Sequence, residues 1–218
     1  MLLFLCGCSN QNKEDVKDKT KVESVVKMPI LKVYNMGNVP EKQVNNLVER
    51  LKPVYPQTVF AGNLPMVDSA YIKGDVKGNN RYWFSKLFSY ANKKMDPKKE
   101  IILIIENGEV CNWTKNGSHA TLGISTIGGH VSFVSYQRLK VNKLNTTDNM
   151  LKVSMHELGH SVAGLVRENK SLRCHCSDKN CLMRDANNKY PYRNITHFCD
   201  RCDKAMKAKG FKTENLNL

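Results

Sequence analysis

The sequence predicts an α/β fold with parallel strand components, and three observations carry that expectation. Strand-like apolar runs at 30–34, 54–60 and 101–105 alternate with segments whose apolar residues recur every three to four positions. The run Ile101-Ile102-Leu103-Ile104-Ile105 is continuously apolar, as a central strand covered on both faces must be. A chain of 218 residues, 41% of them hydrophobic, can bury a sizeable core in one domain, or in one domain with a small appended lobe. It is not a disulfide mini-protein.

Residues Met1 to Cys8 are too few to span a bilayer, but they end in Leu5-Cys6-Gly7-Cys8. This resembles the lipobox of bacterial lipoproteins, in which cleavage before the last Cys leaves that Cys acylated. The resemblance implies that residues 1–7 are a signal remnant and that Cys8 is the lipidation site. The acyl chains would bury many methylenes at about 0.8 kcal/mol each, anchoring the protein to a membrane of the bacterial cell envelope without crossing it. A secretory signal carries a basic segment ahead of its apolar run. None is present, so either the start lies upstream or the apolar residues are incidental. Residues 8–27 are polar and charged and contain no aromatic residue, which describes a flexible tether.

The folded part is expected from Met28-Pro29 onward, with a first strand over Ile30 to Tyr34. Glu41 to Leu51 reads as a helix because Val44, Leu47, Val48 and Leu51 repeat at helical steps and Pro53 stops it. Val54 to Phe60 reads as the second strand. After a loop over Gly62 to Met66, Ala70-Tyr71 leads through a Gly- and Asn-containing turn into a second helix. Its apolar face is Tyr82, Leu87, Phe88 and Ala91, and Pro97-Lys98-Lys99 ends it. Ile101 to Ile105 is the third strand. Cys111-Asn112-Trp113 and residues 121–136 read as further strands, with Gly128-Gly129 as a turn or bulge. His119 and His130 have no partner at metal spacing and read as ordinary turn or strand residues.

The chemistry-bearing stretch is His156-Glu157-Leu158-Gly159-His160. Imidazoles four residues apart on a helix lie about one turn apart on one face, so both can address a single metal ion. The carboxylate of Glu157 stands at the edge of that face, where it can take a proton from a zinc-bound water. This is the HExxH arrangement of zinc peptidases. The flanks read as a helix capped by Thr147 or Asp148, with Leu151, Met155, Leu158, Val162 and Leu165 on one apolar stripe.

Downstream follow His175-Cys176, Cys181, Met183, Cys199 and Cys202. Cys176-x4-Cys181 and Cys199-x2-Cys202 are suitable half-sites for one tetrahedral zinc, and two disulfides are the alternative in an exported protein. Cys111 and Cys174 are left over, as thiols or as a disulfide. The whole pattern resembles the archaemetzincin family of zinc peptidases. It consists of HELGH, a Gly-Leu, then His-Cys, four residues, Cys, one residue, Met, and a final Cys-x-x-Cys. The resemblance implies that His156, His160 and His175 bind a catalytic zinc, that Glu157 is the general base and that Met183 lies in a turn beneath the site. It also implies that Cys176, Cys181, Cys199 and Cys202 hold a second, structural zinc. The implied fold is metzincin-like, a twisted mixed sheet with two to three helices in a larger N-terminal lobe (28–164) and a small zinc-stapled C-terminal lobe (165–218).

More weakly, Arg81-Tyr82 resembles the start of the family's second helix, and Val134-Ser135 with Arg138-Leu139 the segment ahead of its zinc helix. An edge strand before that helix binds peptide substrate as an added strand in metzincins, and residues 121–127 are the candidate here. One departure stands out. The family places its third ligand six residues after the second His, with a Gly midway. Here that position is Val166 and the Gly comes one residue late, at Gly164, so 165–174 read as an insertion. Glu168 and His197 are therefore rival third ligands to His175.

The formal charge of +14 comes from 34 basic and 20 acidic residues, with the lysines scattered over tails and helix faces. It carries no stripe or motif for nucleic acid, so none is expected as a partner. A short basic helix is expected at 204–209 and a frayed tail after it. The expected function is a monomeric, membrane-anchored zinc peptidase acting on a peptide or protein substrate. The alternative is an inactive zinc-stabilised binding module at the envelope.

Overall fold

The computed structural model describes residues 28–66, 81–114, 117–144, 146–165, 175–184 and 195–218. The expected lipidation site Cys8, the tether, Glu168 and Cys174 lie outside these residues. Among the described residues no helix is long and apolar enough to cross a membrane.

The chain runs β1 (Ile30–Met36), α1 (Glu41–Leu51), β2 (Thr58–Leu64), β3 (Arg81–Trp83), α2 (Phe84–Lys94), β4 (Glu100–Glu106) and β5 (Glu109–Thr114). There follow β6 (Gly117–Thr121), β7 (Gly123–Ser125), β8 (Val131–Ser135), α3 (Tyr136–Val141), α4 (Thr147–Ser161) and α5 (Asp200–Lys207). Five strands form a mixed sheet in the order β2-β1-β4-β8-β7. The pairs β1/β2, β1/β4 and β4/β8 are parallel, and β7 closes one edge antiparallel to β8. The sheet is thus a parallel α/β sheet carrying one antiparallel edge strand, the mixed type expected.

β4 is the middle strand, and its residues divide between the faces with a period of two. Ile101, Leu103 and Ile105 enter one apolar cluster with residues of α1 and α4. Ile102 and Ile104 enter a second cluster with Leu87 and Ala91 of α2. Burial on both faces is why this strand needs no polar alternation. The larger cluster also takes in Cys181, Leu182, Met183, Cys202, Met206 and Phe211, so the residues after α4 pack on the same core as those before it.

Several local expectations need correction. Val54 to Gln57 form no strand: the amides of Val54 and Tyr55 both bond back to Leu51 O (3.0 and 2.7 Å), and the strand starts at Thr58. Arg81 to Trp83 pair with β5 as a short strand, and the second helix begins only at Phe84. The C-terminal residues do not fray. Lys212 N donates to Val54 O (2.7 Å), Asn215 Nδ2 to Pro53 O (3.0 Å), and Arg50 to Asn217 O. Phe211 is 1% exposed and lies on Tyr55 with ring centroids 4.7 Å apart. The errors at 54–57 and in the tail share one cause. Val54 and Tyr55 are apolar because they turn inward to receive the tail, not because they alternate along a strand.

Candidate metal centres

Helix α4 is capped one residue before the expected position, by Thr146, whose side chain accepts from Asn149 N (3.3 Å). The helix packs on the sheet beside α1, touching β7 and β8. All residues from Met150 to Ser161 are buried in consequence, which accounts for polar groups in its interior. Its C-terminal carbonyls are satisfied by the β7–β8 turn: Gly128 N donates to His160 O (3.0 Å) and His130 N to Ser161 O (3.1 Å). The ring Nδ1 of His130 donates to Pro97 O (3.0 Å).

His156, Glu157 and His160 are each 6% exposed. His156 Nδ1–H donates to Leu182 O and His160 Nδ1–H to Leu165 O, both at 2.6 Å. A carbonyl can only accept, so both rings are held as the Nδ1–H tautomer with bare Nε2 lone pairs. Those two Nε2 atoms stand 3.1 Å apart. Nitrogens held ~2.0–2.1 Å from one tetrahedral zinc lie roughly 3.3 Å from each other. Burial, together with the His160 and His175 rings, holds His156 well below its ordinary pKa, and burial first of all lowers His160 to about 4. Both imidazoles are neutral at pH 7, as metal binding requires.

His175 completes the group, its ring centroid 5.1 Å from that of His156 and 5.4 Å from that of His160. The ligand atoms of the three all lie within 4.8 Å of one another. The rival His197 is exposed and contributes its backbone, its carbonyl accepting from Leu182 N (2.7 Å). Gly164, though one residue late, still reverses the chain: its φ of +63° is a left-handed turn that favours glycine. Leu165 N then reaches Gly159 O (3.0 Å), and Leu165 O meets the His160 ring. The helix is therefore finished before the insertion begins, and Leu165 leaves the helical stripe to become a ring-orienting residue. Met183 is buried beneath the helix, so close to Gly159 that a methyl group there would overlap its sulfur.

Glu157 faces β7, against Gly123 and Ser125. Burial raises its carboxyl to about 8, opposed by a hydrogen bond from Ser125 Oγ to Oε2 (2.7 Å).

The second group is Cys176, Cys181, Cys199 and Cys202, whose sulfurs lie within 4.8 Å of one another and carry no disulfide. Cys176 and Cys199 Sγ are 3.7 Å apart. Four sulfurs ~2.3 Å from a common centre lie ~3.8 Å apart. The segment 175–184 delivers the first two through Cys176 N to Met183 O (2.7 Å), and Cys199 caps α5 with Cys202 in its first turn. The amides of Met183 (3.4 Å) and Cys199 (3.3 Å) both donate to Cys181 Sγ. With the Cys202 thiol as the largest contribution, these lower Cys181 to about 5, so the cluster already stabilises a thiolate. In turn the Cys181 interaction raises Cys202, and burial raises Cys199. A cation among them is what lets all four become thiolates together. Donor type, count and spacing fit zinc in both groups. Cys111 is buried on β5 and is not part of this group.

Sequence reasoning gave Gly123, Ser125, Leu165 and Leu182 no role in orienting the site. The two leucines act through backbone carbonyls, which leave no mark on residue type. Gly123-x-Ser125 carried a usable signal, two small residues on one face of a strand expected beside the helix.

No protein-family model matches this chain, and no curated protein matches it. Among solved structures, the crystal structure of an archaemetzincin from Methanopyrus kandleri matches with a TM-score of 0.61 at 19% identity, covering 85% of this chain and 98% of that one. Metalloproteinase-II from Bacteroides fragilis matches with a TM-score of 0.43 at 13% identity, covering 83% of this chain and 53% of that one.

Proposed function

We propose that this chain, which has an archaemetzincin-like fold, is a zinc-dependent peptidase acting on peptide or protein substrates, working as a monomer tethered to a bacterial envelope through Cys8. The observation that carries the reading is the pair of buried, neutral imidazoles of His156 and His160, tautomer-locked by carbonyls and converging with His175, with an acid beside them.

Zinc held by His156, His160 and His175 would supply Lewis acidity to the scissile carbonyl and lower the pKa of the attacking water toward about 7. Glu157 takes the proton of that water on its carboxylate and returns it to the leaving amine nitrogen. The buried surroundings of Glu157 favour its protonated form, which suits the second of these transfers. β7 stands at the end of the sheet order, where an extended peptide can add as a further strand alongside Glu157. Cys176, Cys181, Cys199 and Cys202 would close a second zinc with no position left for water, a structural site.

The test is cleavage of a peptide library by the purified chain, before and after chelation and with zinc restored. Turnover that disappears on chelation and returns with zinc is the expected result. A chain that retains zinc but cleaves no peptide would instead be a binding module.

A further inference from the structure

On β7 the side chains alternate across the sheet. Ile124 packs with the cluster on the α2 face. Gly123 and Ser125, two residues apart, share the opposite face, toward α4. A Cβ built at Gly123 would lie 2.7 Å from Glu157 Cγ, 2.7 Å from Glu157 Oε1 and 2.9 Å from Val153 Cγ1. The stem and Oε1 of Glu157 thus occupy the space that any other residue at 123 would fill. One step along the same face, Ser125 Oγ donates to Glu157 Oε2 at 2.7 Å. The register Gly123↔Val134, Ile124↔Phe133, Ser125↔Ser132 fixes both residues against β8, which is itself packed on α4. Strand and helix therefore hold the carboxylate from two directions.

We infer that Gly123 and Ser125 form a cradle that positions Glu157, with the Ser125 hydroxyl fixing Oε2 so that Oε1 is the oxygen presented for proton transfer. The inference rests on the reading of Glu157 as the base and adds a consequence that reading does not contain. The cradle belongs to the edge strand that would pair with substrate, so the base is oriented by the same strand that would set substrate register. A peptide added to β7 and the oxygen that takes the proton then move as one body. The Ser125 side chain touches neither substrate nor metal in this scheme, and Ser125 is a positioning residue.

The experiment compares the parent with Ser125→Ala, Ser125→Thr and Gly123→Ala, all loaded with zinc. Ser125→Ala removes the hydrogen bond that fixes Oε2 and should lower kcat by about tenfold. KM should stay within about twofold and zinc content should not change. Ser125→Thr keeps the hydroxyl and suits a strand, so it should restore kcat to within about twofold of the parent. Crystal structures supply a readout independent of turnover: one Glu157 rotamer in the parent and in Ser125→Thr, a second rotamer in Ser125→Ala, and a displaced Glu157 in Gly123→Ala. Unchanged kcat in Ser125→Ala with Glu157 in its original rotamer would overturn the cradle, as would loss in Ser125→Thr equal to that in Ser125→Ala. If the parent itself cleaves nothing, the peptidase reading fails, and the Glu157 rotamers still decide for or against the cradle.

Discussion

Glu157→Ala is expected to keep zinc at both sites and to lose peptide hydrolysis by ~10²–10⁴-fold, the usual worth of a positioned general base. The side chain is no ligand. It faces β7, while the Nε2 atoms of His156 and His160 face each other, each ring held through Nδ1 by a carbonyl that the substitution leaves alone. Stability should hardly move. Removing a buried carboxyl also removes its desolvation cost, which offsets the lost contact with Gly123 and Ser125. Turnover, zinc content and a melting curve for parent and variant check all three statements. Full activity in the purified variant would end the role given to Glu157.

Cys199→Ser should act in the opposite way, through folding. Cys199 is the residue that caps α5, and serine is a good capping residue, so the helix terminus itself loses nothing. What is lost is one of four sulfurs, leaving the other three unable to close a tetrahedron. Structural zinc contributes folding free energy directly, and each kcal/mol lost lowers Tm by about 2–4 °C in a chain of this size, so a fall of about 10 °C is expected. The effect should spread to the histidine site. His175 adjoins Cys176, Leu182 O orients the His156 ring, and Met183 supports Gly159 of the zinc helix, all within the segment that the cysteines staple. Zinc retention at both sites should weaken. A variant that melts like the parent and retains all its zinc would refute the structural role of the second site.

The parts of the fold that were legible in the sequence are those where burial repeats along the chain. The α1 stripe of Val44, Leu47, Val48 and Leu51 matches the buried face residue for residue, and the apolar run at 101–105 is the central strand. Position failed where apolar residues are buried by distant partners, as Val54 and Tyr55 are by the returning C-terminal residues. The histidine group and the four-cysteine group were legible because ligand chemistry restricts residue type and, within each half-site, spacing. Which histidine came third was not fixed by spacing, since the insertion breaks it. The cysteines bordering His175 carried that choice, and the structure brings His175, not His197, to the pair on α4. The supporting groups were hidden for a different reason: carbonyl oxygens of Leu165 and Leu182 could come from any residue.

The most direct measurement is an anomalous-difference map at the zinc absorption edge from crystals grown with zinc. The account predicts two peaks per chain. One should lie within about 2.2 Å of nitrogens of His156, His160 and His175, with one coordination position open to water. The other should lie at ~2.3 Å from the sulfurs of Cys176, Cys181, Cys199 and Cys202 with none open. A peak at the histidines that is ligated by Glu168 or His197 with His175 turned away, or paired disulfides in place of the second peak, would contradict it.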